Sequence, residues 1–152
     1  MLVALANPGR LVADLTVVGE SVDPDEIREL LRASPDRSHK VGDLVSPKRS
    51  SVARRRSGLW SISTRGRLDE SASLSDHIRD LLQRVTSDAE VWGMLAHRHS
   101  TRVFVGWFMA LFNEGAGIEP DVLAELGRLS LLLDFDVYSS SPDEQAAEVR
   151  QG

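Results

Sequence analysis

The sequence predicts an α+β fold: a two-layer α/β sandwich related to ferredoxin-like folds, with two strand-helix-strand halves and two extra helices between them. Segments of alternating apolar residues, typical of strands, are interleaved with segments whose apolar residues recur every three or four positions, typical of helices. Two helix starts resemble each other, which suggests that the halves are duplicated. The length of 152 residues suits one such domain.

The first half begins with a strand and a helix. Apolar residues alternate along the chain from 11 to 18, which predicts the strand. Asp23-Pro24-Asp25-Glu26 then supplies an N-cap, a proline for the first helical turn and acids near the positive end of the helix dipole. A helix is predicted from there to about Ala33, where Ser34-Pro35 ends it.

The middle of the chain predicts two strands and two helices. Residues 41–45 predict a short edge strand and residues 59–64 a half-buried strand. Between them, residues 46–57 are rich in Pro, Ser and Arg and predict a basic mobile loop. An apolar stripe that follows an N-cap at Ser75 predicts a helix, and the capping-box pattern Ser87-Asp88-Ala89-Glu90 predicts the next one.

Residues 102–112 predict a central strand, because both sets of alternating positions are apolar. A buried helix is the alternative, since three phenylalanines in this segment lie four residues apart. The Val-Phe-Val sequence and Gly106 favour the strand. A helix that begins at a proline is predicted for 119–130, and a last strand for 133–138.

The evidence for duplication is a match between residues 22–34 and 118–130, which are identical at six of thirteen positions. Each segment follows a predicted strand and precedes another. The alternative is that two amphipathic helices share an ordinary start signal.

Three segments are expected along the chain: a loose N-terminus at 1–10, a single domain at 11–139 and a polar tail at 140–152. No apolar run approaches the roughly 20 residues that span a bilayer, and the first residues do not resemble a secretory signal. There is no cysteine, which excludes disulfides, thiolate nucleophiles and cysteine-ligated metals. We therefore expect a cytoplasmic protein with no membrane segment and no cofactor.

Charge is distributed unevenly. The formal net charge is −5, but residues 37–67 carry +8 and the other residues −13. This basic segment could bind an anion, and the candidate side chains are Lys48, Arg49, Arg54, Arg55 and Arg56. The absence of an aromatic in the loop and the acidity of the other residues argue against nucleic acid. The alternative is a solvated loop, or one that pairs with the acidic surface or with a second copy.

Residues typical of catalysis or metal binding are sparse. His97 and His99 could share a metal, His77 could act as a base, and Asp134 and Asp136 could act together on one strand face. In each case an ordinary polar or half-buried side chain is the better explanation, because no third ligand or partner acid is at a useful spacing. The sequence predicts no catalytic residue and no metal site, and favours a non-enzymatic protein.

The candidate interaction face consists of Phe104, Phe108 and Phe112. In a two-layer sandwich one sheet face is open, and an apolar open face needs a second copy or a protein partner. The alternative is that the two extra helices cover this face.

The chain also resembles a known family. The relevant motifs are Asp23-Pro24-Asp25-Glu26-Ile27, Ser34-Pro35 followed by Lys40-Val41-Gly42-Asp43, Gly58-Leu59-Trp60-Ser61, Leu74-Ser75-Asp76-His77-Ile78 and Leu133-Asp134-Phe135-Asp136-Val137-Tyr138. Their order and spacing resemble the uncharacterised bacterial family named domain of unknown function 4279. The resemblance implies a small bacterial α+β domain with no established activity or site residues. From the doubly apolar strand at 103–112 we predict a non-enzymatic bacterial interaction domain, of the accessory or immunity type, that dimerises or binds a protein partner.

Overall fold

A computed structural model describes residues 9–46 and 53–139 of the chain. The described residues form a mixed five-stranded sheet and four helices, which confirms the α+β class. The elements in chain order are β1 (Arg10–Gly19), α1 (Pro24–Leu31), β2 (Arg37–His39), β3 (Gly58–Ser63), α2 (Leu74–Gln83), α3 (Ala89–Arg98), β4 (Ser100–Phe108), α4 (Pro120–Arg128) and β5 (Leu132–Tyr138).

The strands lie in the order β2-β3-β1-β4-β5. All neighbours are antiparallel except β4 and β5, which are parallel. The helices α1 and α4, which have the similar sequences, each connect two strands that run in the same direction. They differ in that β3 lies between β1 and β2, whereas β4 and β5 are adjacent. The duplication and the ferredoxin-like relationship stay predictions.

The core lies on one face of the sheet. Alternate residues of the central strands, such as Leu15 and Val103, are fully buried there against side chains from all four helices. On the opposite face lie Asp14, Thr16, Ser61, Arg102 and Phe104, which are in register with one another across the strands. We call this the uncovered face, because none of the described helices packs on it. The domain is thus a two-layer sandwich.

Local signals explain most helix starts. The Asp23 side chain accepts a hydrogen bond from the Asp25 N–H, and Pro24 occupies the first turn of α1. The cap of α2 is Ser73 and not the expected Ser75, whose hydroxyl instead accepts the N–H of Glu119. The capping box predicted for α3 begins at Ser87, but the N-cap in the structure is the next residue, Asp88.

Two strand predictions were wrong, one in the position of the strand and the other in where it ends. The edge strand is β2 and not residues 41–45, because the latter pair with residues 53–55 in a short hairpin through Leu44 and Arg54. The central segment is a strand, as predicted, but β4 ends at Phe108 and not at 112. Beyond it the N–H groups of Ala110 and Leu111 donate to the carboxylate of Glu114, so they are not available to a sheet.

In the described part of the chain no helix is long and apolar enough to cross a membrane. The predicted loose N-terminus and polar tail lie almost entirely outside the described residues, as do positions 47–52 of the predicted basic loop. The bacterial source and the cytoplasmic location stay predictions.

Candidate functional site

The two edges of the sheet differ in how well they are protected from pairing. β2 has three residues, of which Arg37 and His39 are basic, and short charged edges resist strand addition. β5 has seven residues, with no proline and no basic side chain. Its apolar and aromatic side chains Leu132, Phe135, Val137 and Tyr138 are between 41% and 59% exposed. Among the described residues no strand pairs with the outer side of β5, and we call this the unprotected edge.

The three phenylalanines of the predicted interaction face do not lie together. Phe104 and Phe108 are half-buried on the uncovered face. Phe108 stacks on Tyr138 with ring centroids 4.8 Å apart, and Arg10 Cζ lies 4.5 Å from the centre of the Phe108 ring. Phe112 lies past the end of β4 and is 91% exposed. Only the first two phenylalanines therefore share a face with β5 residues.

Two carboxylates of β5, those of Asp134 and Asp136, lie on the uncovered face. Arg102 Nη1 donates to Asp134 at 2.9 Å, and the hydroxyl of Tyr138 donates to Asp136. This hydrogen bond and the negative charge of Asp136 raise the pKa of Tyr138. Asp136 has no basic partner among the described residues. This part of the sheet can therefore attract a cation.

The basic segment is spread over several elements. Arg54 donates to the carbonyl of Gly42 at 2.8 Å, and Arg55 approaches the carbonyl of Val45 at 3.5 Å, so both belong to the hairpin. Arg56 is exposed. Lys48 and Arg49 lie outside the described residues. The five predicted anion ligands are thus not shown to converge on one point.

Two clefts flank β2. The first, of about 470 Å³, is lined by Asp14, Asp36, Arg37, Ser63, Arg65 and Arg67. The second, of about 510 Å³, is lined by Asp36, Arg37, Ser38, His39, Asp43, Leu44, Arg55 and Leu59. The pattern of the sequence did not indicate them, because their walls come from residues as far apart as Asp14 and Arg67.

Ion pairs fix the walls of the first cleft. Arg37 reaches Asp14 at 3.1 Å, and Arg84 reaches Asp36 at 2.9 Å. Burial would raise the pKa of Asp36, but the Ser63 N–H and the Arg84 guanidinium outweigh it, and this pKa lies below its ordinary value. The carboxylate of Asp36 is thus held ionised and in place.

The comparisons with known proteins give one match. Residues 9–140 fit the sequence profile of a family described as Domain of unknown function (DUF4279). The chain belongs to this family. Searches of the curated proteins and of the solved structures found no significant match.

The residues considered for catalysis are dispersed in this DUF4279 domain. His77 is buried in the core, His97 is exposed, and Asp134 is paired with Arg102. His99 is buried. Its pKa is lowered mainly by this burial and also by the positive charge of Arg98. Among residues 9–46 and 53–139, no three His, Cys, Asp or Glu side chains are grouped in a way that could hold a metal.

Glu114 accepts more hydrogen bonds than any other carboxylate among the described residues, and the sequence did not predict it. Glu114 Oε2 accepts hydrogen bonds from the N–H of Gly9 at 2.8 Å and from the Nε1–H of Trp107 at 2.9 Å. Glu114 Oε1 accepts hydrogen bonds from the backbone N–H groups of Ala110 and Leu111. It joins the start of β1 to the end of β4. Three of the donors lie within seven residues of Glu114 but form no recognised motif, and the fourth, Gly9, is 105 residues away.

Proposed function

We propose that this domain is a non-catalytic interaction module, of the accessory or immunity type, that binds a protein partner by adding a strand of the partner to β5. The observation that carries the proposal is the unprotected outer edge of β5. An exposed edge strand presents unpaired N–H and C=O groups, and an added strand satisfies them. Four apolar or aromatic side chains on this strand are partly exposed and would gain contacts with the added strand.

The charges of β5 favour a different protein over a second copy. A closed dimer through this edge would pair β5 with itself in antiparallel orientation about a twofold axis. Every register with five or more residue pairs centres that axis on Asp134, Phe135 or Asp136. Each of these places two carboxylates directly opposite each other, and like charges in that position are destabilising.

The same carboxylates describe the partner. Asp134 and Asp136 point to the uncovered face, whereas Phe135 and Val137 point to the other face of the sheet. A complementary strand therefore has Lys or Arg at alternate positions and apolar residues between them. Opposite charges across neighbouring strands contribute roughly 0.2–1 kcal/mol for each pair.

Binding of short labelled peptides to the full chain tests the proposal. Adding the protein is expected to raise the fluorescence anisotropy of a labelled seven-residue peptide in which lysine and valine alternate. The anisotropy of a peptide in which glutamate and valine alternate is not expected to change. F135K is expected to weaken binding about tenfold, because it adds a cation to the docking edge. M94K is the matched control, since Met94 on α3 is also 41% exposed and gains the same charge.

Two results would contradict the proposal. Equal weakening by F135K and M94K would mean that only net charge matters. If the protein sediments as a dimer and F135K dissociates that dimer, the partner of β5 is a second copy of this chain and not a different protein.

A further inference from the structure

Three side chains on the uncovered face form a row of stacked groups, one on each of three neighbouring strands. Arg10 of β1, Phe108 of β4 and Tyr138 of β5 are in register with one another. The rings of Phe108 and Tyr138 are stacked, with an angle of 6° between their planes. Because β4 lies between β1 and β5, Arg10 and Tyr138 lie on opposite sides of Phe108. We call these three side chains the stacked row.

The surroundings of the two rings hold them in position. Phe108 is half-buried, and Gly106 leaves room for its ring, because a Cβ at Gly106 would lie 3.4 Å from Phe108 Cε2. The hydroxyl of Tyr138 donates to Asp136, and this hydrogen bond orients the second ring. A group that binds to a ring already held in position does not have to order that ring first, so less conformational freedom is lost on binding.

The stacked row has an open end at β5. In the described part of the chain no strand lies beyond β5, and Tyr138 is 49% exposed. The other end of the row shows which group suits such a position. The guanidinium carbon of Arg10 lies 4.5 Å from the centre of the Phe108 ring, and its Nε lies 3.3 Å from Glu70. Arg10 therefore combines an aromatic ring with a carboxylate. The open end offers the same combination, the ring of Tyr138 and the carboxylate of Asp136.

We infer that the partner strand added to β5 carries an arginine opposite Tyr138, whose guanidinium stacks on the outer face of the ring and contacts Asp136. The inference rests on the proposed function and specifies one position of the partner. Residues directly opposite on neighbouring strands have Cβ atoms about 4.5–5.5 Å apart, and a long side chain also reaches the diagonal neighbour, which here is Asp136. A guanidinium is planar and stacks on aromatic rings, whereas the ammonium of lysine is a compact, strongly hydrated charge.

Fluorescence anisotropy of labelled peptides with the full chain tests the inference. The parent probe is a nine-residue peptide in which lysine alternates with valine and valine stands at both ends. Its lysines then face Leu132, Asp134, Asp136 and Tyr138. Four further probes replace one lysine each by arginine. The probe whose arginine faces Tyr138 is expected to bind about threefold to fivefold more tightly than the parent. This arginine is at peptide position 2 if the added strand is antiparallel to β5, and at position 8 if it is parallel.

Variants of β5 separate the contact with the ring from other effects. Y138L removes the ring and is expected to abolish the gain from this arginine, whereas Y138F keeps the ring and is expected to retain the gain. F135L is the matched control, because Phe135 is a partly exposed aromatic of the same strand that points to the other face of the sheet. It is expected to retain the gain as well. Circular dichroism spectra that match the wild type show that the variants are folded.

Three results would overturn the inference while the proposed function stands. One is binding of the parent peptide with no gain from an arginine at any position. Another is a gain that Y138L leaves unchanged, which would assign it to a carboxylate alone. The third is a gain that Y138F or F135L removes as completely as Y138L does. If neither the parent peptide nor the arginine peptides bind, the proposed function is wrong and this inference fails with it.

Discussion

The Nδ1 atom of His77 lies 2.8 Å from the hydroxyl oxygen of Thr64, in the buried layer between α2 and the sheet. The same hydroxyl accepts the N–H of Ala13 at 3.0 Å, so its own proton is available to Nδ1. This arrangement suits a neutral imidazole with an unprotonated Nδ1. A protonated ring would instead donate through Nδ1, and the Thr64 hydroxyl would have to turn its own proton away from His77.

Stability is expected to fall as the pH drops below about 6.5, because protonation of His77 opposes folding. Burial lowers the pKa of His77 below 6.5, and it outweighs the Asp69 carbonyl and the carboxylates of Asp80, Asp76 and Glu70, which raise it. Between the lowered pKa and 6.5 the unfolded chain binds a proton that the folded chain does not. Urea unfolding at a series of pH values measures the resulting slope.

The controls for this prediction are histidine variants. H77N keeps an acceptor near the Thr64 hydroxyl and is expected to reduce the slope between pH 5 and 7, while H97N leaves it unchanged, since His97 is exposed. His99 also has a lowered pKa, so H99N is expected to remove a further part. A wild-type slope that H77N and H99N both leave intact would refute the assignment.

The variant T64V is expected to destabilise the domain by about 1–3 kcal/mol. Valine has nearly the same shape as threonine but leaves the Ala13 N–H and one nitrogen of His77 without a partner in a buried site. T64S retains the hydroxyl and is expected to lose much less. Urea denaturation of the two variants provides the comparison, and equal losses would show that the methyl group matters and the hydroxyl does not.

The variant E114Q is expected to lower the free energy of unfolding by about 2 kcal/mol at neutral pH, since charged acceptors form stronger hydrogen bonds. The glutamine NH2 group would also face N–H groups that need an acceptor. Burial raises the pKa of Glu114, but the four N–H donors outweigh it and leave this pKa below 4.5. The carboxylate therefore contributes stability above pH 4.5, and the contribution disappears as the pH falls through the lowered pKa.

Chemical denaturation at pH 7 and at lower pH checks this expectation. E125Q is the control, because Glu125 pairs with Arg128 on the surface of α4, and such pairs contribute less than about 1 kcal/mol. If E125Q is as damaging as E114Q at pH 7, or if the stability lost in E114Q is the same at low pH, the proposed role of the Glu114 carboxylate is wrong.

Local chemistry explains why much of the fold could be predicted. Asp23-Pro24 marks the start of α1, and the doubly apolar 103–108 segment becomes a central strand. The missed features depend on contacts that form only in the folded chain. β2 is a polar tripeptide whose conformation is set by pairing with β3, and the end of β4 depends on Glu114. The clefts exist only after β1, β2 and β3 assemble, so the sequence showed a basic segment without its geometry.

Two glycine substitutions are expected to have opposite effects on stability. A Cβ at Gly58 would overlap the backbone carbonyl of Val22, so G58A forces β3 and the start of α1 apart and is expected to lose about 1–3 kcal/mol. A Cβ at Gly93 within α3 meets nothing within 4 Å, and alanine is the better helix former. G93A is therefore expected to gain about 0.5–1 kcal/mol. Urea denaturation measures both. A stabilised G58A would contradict the close approach of β3 to Val22, and a destabilised G93A would contradict the open space at Gly93.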